Sequence, residues 1–303
     1  MTRASSFLSA LLLSAAASPG AAVPPAAGLR GSTAPVAATA PPSAETISPI
    51  AAAATPPSAG LRGSTIPIAA ARPGPSVYEI VDRANKLLRG DSSHGRLTMT
   101  VVTPSWTREL EIEGWNQGRR KAFILIHAPP KEKGTTTLRR GGEMWMWMPR
   151  VERLLKIPPT MMHSSWQGSD FTYEDIVKAD SVVKDYTHRL LRTTPGKPYE
   201  TRLIEALPKP DAPVVWGKVL LTLGVYPDGW VIPVKEEHYS ERGELIRTIA
   251  LDRVKVMGGR RVPTRLTCVS ERRPGRRTVL EYHALDFGLE LPDSFFSLSR
   301  LQR

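Results

Sequence analysis

The densest group of side chains that could perform acid–base or metal chemistry is in the stretch GSDFTYED, which contains Asp170, Glu174 and Asp175. Carboxylates grouped in this way can bind Ca²⁺ or serve as a general acid and base. They also fit the first turn of a short helix beginning near Thr172, where free backbone N–H groups and the helix dipole favour negative charge by ~0.3–1 kcal/mol. The second, structural interpretation needs no ligand, and we favour it.

Other signatures of catalysis are missing from the sequence. The six histidines are scattered, without the spacing of zinc ligands. Ser164 and Ser165 lack the Gly-x-Ser-x-Gly setting of a hydrolase nucleophile, and no phosphate-binding or dinucleotide-binding glycine motif occurs. Cys268 is the only cysteine, which excludes an intramolecular disulfide and a cysteine-based metal cluster. We therefore predict no enzyme, metal or cofactor, and an envelope hydrolase using Asp170 or His163 is only a rival hypothesis.

A second unusual stretch is apolar rather than reactive. In MWMWM, strand geometry places Met144, Met146 and Met148 on one face and Trp145 and Trp147 on the other. A strand that is apolar on both faces must be covered on both sides or must face a ligand. Methionine adapts to irregular apolar partners. Ordinary core packing and a flexible apolar ligand cavity both explain this pattern.

Arginine is concentrated near one predicted hairpin, within residues 260–277. The chain has 41 Lys and Arg against 29 Asp and Glu, a net charge of +12. This cluster is either a solvated strand face or a pad for an acidic partner or anionic lipid headgroups. Nucleic acid fits poorly, because the cluster has no interleaved aromatic residues. The candidate docking residues are Arg260, Arg261, Arg272, Arg273, Arg276 and Arg277.

Most of these residues must be positioned by strands. We predict a helix over residues 77–88, with a capping box formed by Ser76 and Glu79, and a second helix over about residues 172–179. Eleven runs with strand character, joined by short connections, predict an antiparallel meander. Because a sheet of about 11 strands curls, we expect an α+β fold in which the helices plug the concave face.

The first 75 residues have a different composition. Met1-Thr2-Arg3 followed by the apolar residues 7–17 predicts a secretory signal peptide over residues 1–20. Residues 21–75 are rich in alanine and proline and repeat AGLRGST at 27–33 and 59–65, which predicts a disordered tether. We expect residues 76–303 to form the folded domain. No cysteine follows the apolar core, so we expect an exported, non-lipidated protein.

Two neighbouring motifs resemble a known family. EMWMWMPRVERLLKIPPTMM, residues 143–162, and SSWQGSDFTYEDI, residues 164–176, resemble the LolA-like, outer membrane lipoprotein-sorting family. Residues 106–140 resemble its first strands, and the similarity extends roughly over residues 76–301. The resemblance implies an unclosed β-barrel that holds helices on its concave side, around an apolar cavity for acyl chains.

We therefore expect a monomeric periplasmic carrier that binds acyl chains of a lipid or lipoprotein and moves them toward the outer membrane without catalysis. The candidate partners are an inner-membrane export permease and an anionic membrane surface. The alternative is a non-catalytic accessory or scaffold subunit of an envelope export complex, which would carry no lipid. The residues expected to contact acyl chains are Trp145, Trp147, Met144, Met146, Met161, Met162, Trp166, Phe171 and Ile176.

Overall fold

The computed structural model describes residues 74–178 and 180–302. The predicted signal peptide and tether lie outside these residues, so both stay predictions. From Pro75 onward the chain belongs to one compact unit. Among the helices of the described ranges, none is long and apolar enough to cross a membrane.

The described chain contains three short α-helices and thirteen β-strands, besides several 3₁₀ turns. The helices are α1 (Val77–Lys86), α2 (Tyr173–Val177) and α3 (Ser181–Lys184). The strands are β1 (Ser92–Val102), β2 (Thr107–Gln117), β3 (Lys121–Ala128), β4 (Thr136–Arg140), β5 (Glu143–Met148), β6 (Arg153–Lys156), β7 (Tyr186–Thr194), β8 (Glu200–Pro208), β9 (Lys218–Val225), β10 (Val231–Tyr239), β11 (Leu245–Met257), β12 (Arg260–Ser270) and β13 (Arg277–Phe287).

All thirteen strands form one antiparallel sheet in the order β6-β5-β4-β3-β2-β1-β13-β12-β11-β10-β9-β8-β7. The first and last strands pair with each other at its centre, for example at Met99 and Leu280. The edges are β6 and β7, and the sheet does not close between them. The predicted unclosed, barrel-like sheet is confirmed, with thirteen strands instead of about eleven.

The connection from β6 to β7, here called the crossing segment, must pass from one edge of the sheet to the other. It carries α2 and α3. We define the inner face of the sheet as the face that bears Leu97 and Met99. The crossing segment passes over this face, because its residues Trp166 and Phe171 are buried in the same apolar cluster as Leu97 and Met99. The prediction that helices plug the concave face is thereby confirmed.

Helix α1 begins at the predicted capping box. The backbone N–H of Glu79 donates to Ser76 Oγ at 3.2 Å, and the Ser76 N–H donates to Glu79 Oε2 at 2.7 Å. Ile80 and Val81 are buried with α3 and strands β7–β10 in a second apolar cluster. The sequence therefore fixes this helix locally through its caps and its apolar stripe.

The outer face of the sheet is also covered in part. After β13 the chain returns across this face, and Phe296 and Leu301 are fully buried against Phe123 and Leu138. We call residues 291–301 the C-terminal strap. The strap gives the molecule a third apolar cluster, on the side of the sheet opposite to the crossing segment.

Candidate apolar binding cleft

Strand β5 has a different environment on each face. Met144 and Met146 point to the inner face and are buried in the largest apolar cluster. Trp145 and Trp147 point to the outer face and pack against the cluster formed by the C-terminal strap. The two-sided apolar pattern of MWMWM therefore arises because two different segments cover the two faces.

This geometry separates the two tryptophans from the inner face. In the strand register, Leu138 pairs with Trp145 and Thr136 pairs with Trp147. The side chains of both tryptophans belong to the same apolar cluster as the strap residues Leu291 and Phe295. Sequence parity placed both tryptophans on one face but did not reveal which face looks inward. The structure places both on the outer face, so they line no part of the cleft described below.

The other predicted contact residues lie on the inner side. Trp166, Phe171 and Ile176 are fully buried, and Met161 and Met162 are half-buried against the same cluster. The crossing segment folds the loop that bears Trp166 onto the sheet. A backbone hydrogen bond from the Trp166 N–H to the Phe171 carbonyl, 2.7 Å long, closes this loop.

Two arginines from different parts of the sheet hold the loop in place. Arg108 of β2 donates to the Gln167 carbonyl. Arg276, which precedes β13, donates to the Ser169 carbonyl at 3.2 Å and to Asp170 Oδ1 at 2.7 Å. The loop is thus attached to strands on both of its sides, although it contains little regular secondary structure.

A cleft of about 620 Å³ opens between β5, this loop and the neighbouring turns. Its inner wall is formed by Met146, Met148 and Tyr173. Tyr173 Oη lies 3.9 Å and Gln167 Nε2 lies 3.8 Å from Met146 Sδ. The remaining lining residues are Trp106, Arg108, Lys131, Glu132, Thr135, Pro149, Arg150, Val151, Ser165 and Gly168.

Only one of the nine predicted contact residues, Met146, lines this cleft. The list of expected contact residues omitted Met148, although the sequence pattern itself places Met148 on the same face of the strand as Met144 and Met146. Tyr173 and Trp106 could not be found in this way, because only the tertiary fold brings β2 and α2 to the same cleft.

The cleft is also lined by one hydroxyl group and by charged side chains. Burial raises the pKa of the Tyr173 hydroxyl, so this group is a neutral donor at pH 7. Arg108 Nη1 pairs with Glu132 Oε1 at 3.1 Å. Lys131 and Arg150 are exposed. The cleft therefore combines an apolar inner wall with a positively charged rim.

The acidic cluster of the crossing segment forms structural ion pairs. Burial raises the pKa of Asp175, but Arg247 at 2.8 Å outweighs that effect and lowers the pKa to about 2. Asp170 accepts from Arg276 and from Thr278 Oγ1 at 2.7 Å. Asp175 also completes a capping box with Thr172, as the structural interpretation requires.

His163 and Glu174, the two other acid–base candidates, also form ion pairs. His163 Nδ1 lies 3.0 Å from Glu174 Oε2, and Lys178 Nζ lies 2.8 Å from Glu174 Oε1. Within the described ranges no group of three or more His, Cys, Asp or Glu side chains is arranged to hold a metal ion.

The six candidate docking arginines do not form one patch. Arg260 and Arg261 begin β12, whereas the other four lie at or beyond its opposite end, roughly 30 Å away at the rise of a strand. Arg260 stacks on Phe287 at 3.9 Å, and Arg261 pairs with Asp228 at 2.8 Å. Their closeness in sequence reflects the two ends of a hairpin, and the single pad proposed from the sequence is not formed.

The comparisons with known proteins agree with this architecture. A family model with the description "Uncharacterized protein" matches residues 118–303. No curated protein matches the chain. Solved structures, in contrast, show the same fold with low sequence identity.

Three of them align over nearly their whole length. A DUF1329 family protein from Desulfovibrio piger is 20% identical, with a TM-score of 0.65, and the alignment covers 74% of this chain and 97% of that chain. A putative outer membrane lipoprotein-sorting protein domain from Vibrio parahaemolyticus is 19% identical, with a TM-score of 0.62 and coverage of 75% and 98%. A LolA superfamily protein from Nitrosomonas europaea is 24% identical, with a TM-score of 0.59 and coverage of 73% and 97%.

Proposed function

Because the chain belongs to the family whose model carries the description "Uncharacterized protein", and because its fold is that of LolA superfamily proteins, we propose that it is a periplasmic carrier of acyl chains. The cargo is a lipid or the lipid anchor of a lipoprotein. The protein shields the cargo from water and performs no reaction on it.

The cleft beside β5 is the observation that carries this proposal. Its inner wall presents two unbranched methionine side chains, Met146 and Met148, next to Tyr173. Its volume of about 620 Å³ is within the ~300–1,000 Å³ range of small-molecule sites. Methionine walls suit a flexible hydrocarbon chain, which has no fixed shape to recognise.

The need for such a cleft follows from the hydration of lipids. Each buried methylene group of an acyl chain contributes ~0.8 kcal/mol to its transfer out of water. A single long chain therefore crosses the aqueous periplasm only with its apolar surface covered. The crossing segment is the movable wall in this proposal, since its loop buries Trp166 and Phe171 directly beside the cleft and in the main apolar cluster.

The proposed carrier acts outside the cytoplasm. Residues 1–20 serve as a signal peptide, residues 21–75 as a tether, and the domain from residue 76 onward binds the cargo. An acceptor at the outer membrane must bind the cargo more favourably than this protein does, because a carrier can release cargo only down a gradient of affinity. An inner-membrane export permease is the proposed donor.

Lipid extraction tests this function directly. We expect mass spectrometry of protein purified from the periplasm without detergent to show acyl lipid in near-stoichiometric amount. A scaffold subunit would yield none. That outcome would support the accessory-subunit alternative.

A pair of variants connects the bound lipid to the cleft. Met148 is half-buried in the cleft, whereas Val256 is exposed on β11 and does not line this cleft. Met148→Gln places an amide against the acyl chain, and an unpaired polar group in such a site costs ~1–3 kcal/mol. We expect the affinity for a fluorescent fatty acid to fall about tenfold, because about 1.4 kcal/mol of binding free energy corresponds to a factor of ten in Kd. Val256→Gln should leave the affinity unchanged.

A further inference from the structure

The rim of the cleft carries an excess of positive charge. Three of its lining residues, Arg108, Lys131 and Arg150, are cationic, and Glu132 is the one carboxylate among the described lining residues. Arg108 and Glu132 neutralise each other through their 3.1 Å ion pair. Two positive charges are therefore left at the mouth of an apolar cleft.

The two remaining cations are available to a ligand. Lys131 and Arg150 are both exposed, and neither forms an ion pair with another described residue. They belong to two turns that touch: Gly134, in the turn of Lys131, lies so close to the next turn that a Cβ there would be 3.2 Å from Pro149 Cγ. Lys131 and Arg150 thus extend from neighbouring turns that line the same cleft.

Another part of the lining of the same cleft is buried. Met146 and Tyr173 are buried, and the Tyr173 hydroxyl is directed to Met146 Sδ. A molecule that satisfies both parts has a hydrocarbon chain at Met146 and a negatively charged group at Lys131 and Arg150. A neutral acyl compound would lack the attraction to these two exposed cations.

We propose that the cleft is selective for amphiphiles with an anionic headgroup, a phosphate or a carboxylate, and that Lys131 and Arg150 are the specificity-determining residues. This inference rests on the proposed carrier function and adds the charge of the cargo to it. The headgroup stays at the surface, where the exposed side chains hold it, and the chain enters the cleft.

Two probes that differ mainly in net charge test the selectivity. Dodecyl phosphate and dodecylphosphocholine have the same chain. The first is an anionic phosphate monoester, whereas the second is a phosphodiester whose negative charge is balanced by choline. Each is titrated into the full-length mature protein by calorimetry, below its micelle concentration. An exposed ion pair changes an affinity by a factor of about 1.4 to 5, so two pairs give an expected preference for dodecyl phosphate of about two- to thirtyfold. Higher salt should reduce this preference.

Two matched double variants test whether Lys131 and Arg150 cause the preference for the anionic probe. Lys131→Gln with Arg150→Gln should remove the preference but keep the affinity for dodecylphosphocholine. Lys133→Gln with Arg153→Gln removes two exposed cations from the same two regions, outside the cleft lining, and should preserve the preference. Equal affinities of the wild type for both probes, or the same loss in both double variants, would overturn the proposal.

Two further ligands, laurate and inorganic phosphate, distinguish an anionic amphiphile from a free anion. Laurate should bind with a preference similar to that of dodecyl phosphate, because either anion can pair with the rim. Inorganic phosphate should not compete at millimolar concentration, since it lacks the chain. Tight binding of inorganic phosphate that the Lys131 and Arg150 changes abolish would indicate a free-anion site instead. If neither amphiphile binds, the carrier function itself is refuted along with its charge selectivity.

Discussion

The buried carboxylate of Asp175 accepts two hydrogen bonds from the guanidinium group of Arg247, at 2.8 and 3.0 Å. This pair joins α2 to β11, so it fixes the crossing segment to the inner face of the sheet. Arg139 of β4 adds a second attachment, because its Nη1 donates to the Ile176 carbonyl at 3.0 Å. Both contacts place α2 beside the candidate cleft.

Breaking the buried pair should strongly destabilise the domain. We expect Arg247→Met to lower the free energy of unfolding by ~3–5 kcal/mol, because it removes the guanidinium group that compensates the buried carboxylate of Asp175. Chemical denaturation at pH 7 measures the change. Glu244→Gln is the control: it breaks the exposed pair with Arg272, and such pairs contribute at most about 1 kcal/mol.

The same pair predicts a dependence on acid. The pKa of Asp175 is about 2 in the folded protein and ~3.9 in an unfolded chain. A lowered carboxyl pKa stabilises the fold above the unfolded value, and that contribution is lost as pH falls from about 4 to about 2. The difference in unfolding free energy between the wild type and Asp175→Asn should therefore shrink over this range. A difference that stays constant from pH 5 to pH 2 would contradict the assignment.

The strap and the cleft should respond differently to mutation. Phe296 is fully buried under the outer face, and Phe296→Ala should cost ~3–5 kcal/mol of stability without changing lipid affinity in the folded protein. Trp145→Ala should behave likewise, with a smaller loss because Trp145 is half-buried. Met148→Ala should instead weaken lipid affinity with little loss of stability. Denaturation and a fluorescent fatty-acid titration on the same samples compare the three. A loss of lipid affinity in Trp145→Ala with the fold intact would place the site on the outer face.

The sequence allowed prediction of features that depend on near neighbours in the chain. The capping box at Ser76 was readable because it needs only residues three positions apart. Strand β4 was missed, since TTLRR has Leu138 as its only apolar residue and pairing with β3 and β5 defines it. The face of β5 that looks inward was also unreadable. It depends on residues 291–301, which return to that sheet from more than 140 positions away.

The predicted tether should contribute little to the stability of the domain. Residues 21–75 are rich in alanine and proline and contain no aromatic residue, so they can bury little apolar surface. Deletion of residues 28–75 should leave the melting temperature of the domain nearly unchanged in a calorimetric scan. A decrease of more than about 5 °C, roughly 2 kcal/mol for a domain of this size, would show that the segment packs on the fold.

The loop of the crossing segment should open locally when one of its attachments is removed. Arg108 donates to the Gln167 carbonyl and pairs with Glu132. Arg108→Met removes both contacts, and leaving such buried or half-buried polar groups without partners costs ~1–3 kcal/mol. Because the loop is also attached through Arg276, we expect it to open more often without unfolding of the sheet.

Hydrogen exchange distinguishes local opening from global destabilisation. The N–H groups of Trp166 and Ser169 are bonded within the loop, whereas those of β1 lie at the centre of the sheet. In Arg108→Met the two loop amides should exchange at least about tenfold faster, which corresponds to 1.4 kcal/mol of lost protection, while slow amides of β1 keep their rates. If the loop is the movable wall of the carrier, the association rate of a fluorescent fatty acid should rise in the same variant. Equal acceleration of exchange in the loop and in β1 would show instead that Arg108 supports the whole domain, and the loop would then not open independently.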